Sequence, residues 1–150
     1  MSDEVISQMM SDEVITYIHT KKRSINMAQK ESILKNKSQA FALRIIKMYK
    51  YLCEEQKEYV LSKQVLRSGT SIGANIAEAF YAQSEADFIA KLHISRKEAG
   101  ETIYWIELLR DASYLDFHTS SSMLIDCEEL MKLLTSSIKT RKDKRIPRNS

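Results

Sequence analysis

Residues Leu66–Leu109 read LRSGTSIGANIAEAFYAQSEADFIAKLHISRKEAGETIYWIELL, and this stretch decides the fold. It resolves into two helical segments joined at Tyr81–Ser84. In the second, Phe88, Leu92, Ser95, Ala99, Thr102, Ile106 and Leu109 recur at alternating spacings of four and three, the seam of a helix packed against partner helices. Ser84, with Asp87 three residues on, supplies a start signal: a hydroxyl for the first free amides and an acid near the positive helix end. A helix from Glu85 to Ala112 is about 40 Å long at about 1.5 Å per residue, which suits a bundle. Turning by about 100° per residue puts Ile94, Tyr104, Trp105 and Leu108 on a patch away from the seam. A helix of a lone four-helix bundle needs one apolar stripe, so the second patch is a candidate oligomer interface, covered most simply by another copy of the chain. The structural alternative is that Trp105 flanks its own core.

In the first segment Gly69, Gly73 and Ala77 fall four apart on one helical face. Glycine inside a helix costs roughly 1 kcal/mol against alanine, so a close approach of another backbone is the expected reason for two of them. Ser68, Thr70, Ser71 and Asn75 surround this face, and buried hydroxyls and amides require partners. A phosphate-cradling loop is excluded, because SGTSIGAN has neither the GxxxxGK[ST] order nor the GxGxxG spacing. Arg67, Asn75 and Glu78 read as structural polar groups of this segment.

The runs LRSGTSIGANIAEA and SEADFIAKLHISRKEAGETIYWIELL resemble the four helix bundle proteins whose founding members are encoded by intervening sequences within bacterial 23S ribosomal RNA genes. The likeness extends over roughly Ser38 to Ile138. It implies an all-α fold, an antiparallel up-and-down four-helix bundle assembled as a ring-like homopentamer, with no known enzymatic activity and no catalytic residue to carry over. More distant relatives of this shape include accessory proteins of diversity-generating retroelements, basic pentamers that bind nucleic acid and a reverse transcriptase.

The remaining chain is consistent with a helical domain. Of 150 residues, 43% are hydrophobic and 29% charged, enough apolar content for one core, and the three glycines and single proline, Pro147, favour helix throughout. No apolar run reaches the length of a membrane span and no signal peptide is evident, so a cytoplasmic protein without membrane contact is expected. Cys53 and Cys127 lie on apolar stripes without a CxxC or histidine companion and read as reduced core thiols. MSDEVISQM at Met1–Met9 is nearly repeated as MSDEVITYI at Met10–Ile18. Nine residues are too few for a stacking unit, and an alternative translation start accounts for the duplication. The expected organisation is a flexible N-terminal arm or short accessory helix over 1–36, the bundle over 37–140, and a basic tail over 141–150.

The first bundle helix is expected from Lys37 to Glu55, with Asn36 and Gln39 as a capping box and Phe41, Ile45, Met48, Tyr49 and Leu52 as its stripe. A turn at Gln56–Glu58 leads to the second. The fourth is expected to be capped from Thr119–Ser122, with Leu124, Cys127, Met131, Leu134 and Ile138 facing the core. Arg44, Lys47 and Lys50, beside Tyr51, interleave cations with an aromatic ring, as a nucleic-acid surface requires and as a solvated helix face also presents. The tail carries Lys139, Arg141, Lys142, Lys144, Arg145 and Arg148 against Asp143, +5 over twelve residues in a chain of net +3, leaving −2 on residues 1–138. Such a tail is expected to be disordered alone and attracted to polyanions.

Enzymatic chemistry finds little support. None of His19, His93 or His118 has the glutamate three residues earlier that a di-iron bundle needs, the Glu98/Glu101 pair has no histidine neighbour, and no nucleophile elbow occurs. No metal and no cofactor is expected. The expected function is a non-enzymatic homo-oligomeric scaffold that binds RNA or DNA nonspecifically through Arg44, Lys47, Lys50 and the tail cations. The alternative is a protein-interaction module that docks a partner enzyme such as a reverse transcriptase.

Overall fold

The computed structural model describes residues 2–9 and 11–145. Among them there is helix and no strand: α1 (Asp3–Met9), α2 (Asp12–Glu54), α3 (Leu61–Ala79), α4 (Glu85–Asp111) and α5 (Phe117–Arg145). The four long helices close a ring of neighbours, α2 on α3, α3 on α4, α4 on α5 and α5 back on α2, around one hydrophobic core. No helix among the described residues is long and apolar enough to cross a membrane.

The seam of α4 is buried at all seven expected positions, with Ile89 added. Ser84 caps it as expected, its hydroxyl accepting from the Asp87 amide at 3.1 Å. Of the polar groups around the small-residue face, Ser68 ties α3 to α4, its hydroxyl accepting from Thr102 Oγ1 at 2.9 Å, and the seam residue Ser95 adds a second tie, its Oγ donating to the Ile72 carbonyl at 2.8 Å. The glycines have different reasons. A Cβ on Gly73 would sit 3.4 Å from the Ser38 carbonyl oxygen, a close backbone approach as expected. One on Gly69 would meet Ile45 Cγ1 at 2.7 Å, so that glycine makes room for a side chain instead.

Three expectations are corrected. The helix expected from Lys37 begins at Asp12, capped by Ser11, and no cap interrupts it at Asn36. Residues 12–36 are neither a loose arm nor a separate short helix, and Leu34 already belongs to the core. The fourth helix starts at Phe117, where the Asp116 carboxylate accepts from the Thr119 amide and hydroxyl, each at 2.7 Å, in place of a Thr119–Ser122 cap. Its core stripe uses Met123 and Leu130, while Leu124 and Met131 are half-buried beside them, as is Tyr49 on α2.

The turns need no glycine. Lys57 (φ 53°) and Ser113 (φ 66°) adopt left-handed backbone just past the ends of α2 and α4. The buried Glu58 then caps α3, accepting from the amides of Val60, Leu61 and Ser62 at 3.0, 2.9 and 2.6 Å. Burial alone would raise its pKa, but these amides hold the carboxyl below its usual range. Cys127 is buried with its thiol pushed up to about 12, chiefly by desolvation, and neither it nor Cys53 is bonded to another cysteine.

Candidate nucleic-acid interface

α2 and α5 run antiparallel, and three ion pairs mark their register: Arg44 with Asp126, Lys37 Nζ with Glu129 Oε1 at 2.7 Å, and Arg141 with Glu31. This alignment lays the end of α5 beside the early turns of α2. Residues 19–31 hold four Lys or Arg against one carboxylate, and residues 139–144 hold four against one. A cleft of about 380 Å³ opens between them, lined by His19, Lys22, Arg23 and Lys30 from α2 and by Thr140 and Asp143 from α5. Lys139, Lys142 and Lys144 are exposed on the same part of α5. Among the described residues, Lys22, Arg23, Lys30, Lys139, Lys142 and Lys144 take part in no ion pair.

α4 adds to this positive end. Arg96 Nη2 lies 3.3 Å from His93 Nδ1, and the His93 pKa is held below its ordinary value, first by burial and then by the charges of Lys142 and Arg96. Lys22, Arg23, Lys30 and Arg96 were not among the expected site residues. The signal for the first two was the Lys21–Lys22–Arg23 run, hidden in a segment read as an arm.

The expected basic residues do not form one surface. Arg44 is half-buried, its guanidinium on the Asp126 carboxylate and its Nη2 donating to Ser122 Oγ at 2.9 Å. Lys47 and Lys50 are exposed. Lys47 lines a second cleft of about 380 Å³ with Arg44, Tyr51, Leu115 and Asp116. That cleft lies 25 residues along α2 from Lys22, about 40 Å at about 1.5 Å per residue. Arg141 is not a free tail cation: it is only 14% exposed and is engaged by Glu31 and Glu85. The tail is helical through Arg145 rather than loose, and Arg148 lies outside the described residues.

On the outer face of α4, Ile94 and Tyr104 are 42% and 56% exposed, while Leu108 is half-buried. Trp105 is half-buried against its own core, its ring edge-on to Tyr104 with centroids 5.0 Å apart and its indole N–H donating to Glu101 Oε1 at 3.2 Å. Arg67 bridges Glu98 and Glu101, so a guanidinium occupies the space between the two carboxylates of the ExxE pair.

Residues 30–136 match the family described as 23S rRNA-intervening sequence protein. A crystal structure from Bacteroides thetaiotaomicron, a protein of unknown function from the S23 ribosomal protein family, is 56% identical with a TM-score of 0.73. The match covers 73% of this chain and 98% of that one. No curated protein matches the chain.

Proposed function

Since the chain belongs to the 23S rRNA-intervening sequence protein family, whose Bacteroides thetaiotaomicron relative carries no assigned function, we propose a non-enzymatic role for it: a homo-oligomeric helical scaffold, pentameric in its assembled form, that binds the backbone of RNA or DNA without sequence preference. The observation that carries the reading is the meeting of two basic segments, distant in sequence, at one end of the bundle. Cations free of carboxylates, rather than cations in total, are available to phosphates. A copy in every subunit multiplies weak contacts by avidity. The half-covered patch of Ile94, Tyr104, Trp105 and Leu108 supports self-association through α4, and Trp105→Ala is expected to lower the solution mass.

The test is the salt dependence of RNA binding. Replacing Lys22, Arg23 and Lys142 by Gln removes three phosphate contacts and flattens the slope of log K against log salt by about 2 for a single strand. Replacing Lys47 and Lys50 by Gln leaves it unchanged. An unaltered slope in the first variant refutes the site.

A second reading, docking of a partner enzyme, is favoured by one observation. Val14, Ile18 and Ile25 are 43%, 44% and 53% exposed on the side of α2 opposite its core stripe. It predicts a partner retained at salt concentrations that screen the basic end.

A further inference from the structure

Beyond Ile138, α5 has nothing apolar with which to hold itself on the bundle: residues 139–145 read KTRKDKR. On the α2 side, the buried residues begin only at Leu34. The basic end therefore sits where hydrophobic packing has stopped. A helix end of this kind, with Lys139 and Lys142 three apart and repelling, frays at little free-energy cost.

One polar assembly bridges this gap. Arg141 Nε donates to Glu31 Oε1 at 2.9 Å and its Nη2 donates to the same carboxylate. Nη1 donates to both Glu85 oxygens at 2.9 Å. The guanidinium lies 4.1 Å from the centroid of the Phe88 ring, which packs edge-on against Phe80. Arg141 and Glu31 are each 14% exposed. The cluster thus joins α5 to α2 and α4 where the two basic segments meet. Buried ion pairs are a poor source of net stability, because desolvation offsets attraction, and their best-attested contribution is register.

We propose that Arg141, Glu31 and Glu85 form a latch whose role is positioning: it fixes the last turns of α5 beside α2, so that Lys142 and Lys144 engage the same nucleic-acid strand as Lys22, Arg23 and Lys30. The latch rests on the nucleic-acid reading above. It has an unusual consequence of sign. Glu31 and Glu85 are acidic residues beside a polyanion site, and neutralising them raises the positive charge. Charge alone then predicts tighter binding; a positioning role predicts weaker binding, because the α5 cations are released.

The experiment is fluorescence anisotropy of the full chain with a labelled single-stranded RNA of about 20 nucleotides, between about 50 and 200 mM salt. For Glu31→Gln/Glu85→Gln, losing the Lys142 and Lys144 contacts at about 0.7 each flattens the slope by about 1.4 and lowers affinity on the order of tenfold near 0.1 M salt. Hydrogen exchange of the 139–145 amides accelerates in the same protein. Arg141→Lys keeps every charge but lacks the planar fork that serves both carboxylates, and it is expected to weaken binding as well. It also serves if the double variant does not fold. Tighter binding by the double variant, or unchanged affinity in Arg141→Lys, overturns the latch and leaves the site standing. A slope unaffected by the Lys22, Arg23 and Lys142 substitutions, or a wild-type protein that does not bind RNA, overturns the site and the latch with it.

Discussion

The three glycines provide an internally controlled test of the packing, because the same substitution meets three different surroundings. In a helix interior Gly→Ala stabilises by about 1 kcal/mol through propensity alone. At Gly100 of α4 an added Cβ has no heavy atom within 4 Å, so Gly100→Ala should realise that gain. At Gly73 the nearest atoms, the Ser38 carbonyl and hydroxyl oxygens at 3.4 Å, allow a methyl with a small adjustment, and most of the gain should remain. At Gly69 three atoms of one fully buried side chain, Ile45 Cγ1, Cδ1 and Cγ2, lie at 2.7, 2.8 and 2.9 Å, so no single rotation of a flexible end makes room. Overpacking of this kind costs about 1–3 kcal/mol, which offsets the propensity gain and leaves Gly69→Ala neutral to about 2 kcal/mol destabilised. The expected separation between Gly100→Ala and Gly69→Ala is therefore about 1–3 kcal/mol, or several degrees in Tm for a chain of this size. Urea denaturation followed by circular dichroism, at one fixed protomer concentration, measures it. Ile45→Val removes one of the three clashing atoms and should couple favourably with Gly69→Ala in a double-mutant cycle. If Gly69→Ala proves as stabilising as Gly100→Ala, the tight α2–α3 crossing described above is wrong.

Two further outcomes follow from titratable groups. Glu58→Ala strips the Val60, Leu61 and Ser62 amides at the start of α3 of their acceptor and should cost about 1 kcal/mol, up to about 2. The Glu58 pKa is depressed in the folded protein, so its contribution is complete above the unfolded value near 4.3 and is lost as pH falls through the folded value. The stability gap between wild type and Glu58→Ala, measured by denaturation from about pH 6 to about pH 3, should narrow on acidification; a constant gap would contradict the cap. For His93, burial lowers the pKa first, and Lys142 and Arg96 add to it. Phosphates bound at this end counter the part due to those cations, so the imidazole pKa should rise on RNA binding and binding should tighten as pH drops toward 6. Identical NMR titrations of His93 with and without RNA would place the nucleic acid elsewhere.

The fold was legible where the chain's own core imposes its period. The α4 seam, Phe88 to Leu109, is a long heptad run with one solution, and all seven positions are buried. The expected stripe of α5 is one residue out of phase with its packing at two places, for an identifiable reason. Met123–Leu124 and Leu130–Met131 are adjacent apolar pairs, either member of which fits a spacing of three or four, and packing against α2 and α4 selects Met123 and Leu130. The early start of α2 has no apolar signal, because residues 12–33 contribute no side chain to the hydrophobic core and so carry no core-facing stripe. What remains is local: Ser11 accepting from the Val14 amide at 3.4 Å, with Asp12 and Glu13 in the first turn.

The candidate site was harder to read, because its residues are related by register rather than by spacing. Charge counted along the sequence assigns every positive residue of 139–150 to a tail and divides it from Lys21–Lys22–Arg23 by more than a hundred residues. An antiparallel α2–α5 pair brings the two together, and the same pairing removes Arg44 and Arg141 from the supply of free cations by giving each a carboxylate. Both effects depend on which residue of α5 lies beside which residue of α2. A slip of one helical turn, about 5.4 Å, would part Arg141 from Glu31 and carry the basic rows past each other. Leu34 and Ile138 are the outermost buried core residues of α2 and α5 at this end, and beyond them the ion pair of Arg141 with Glu31 continues the pairing. Charge at the basic end is thus held in place by charge, which is why the acidic residues there decide its geometry as much as the basic residues decide its potential.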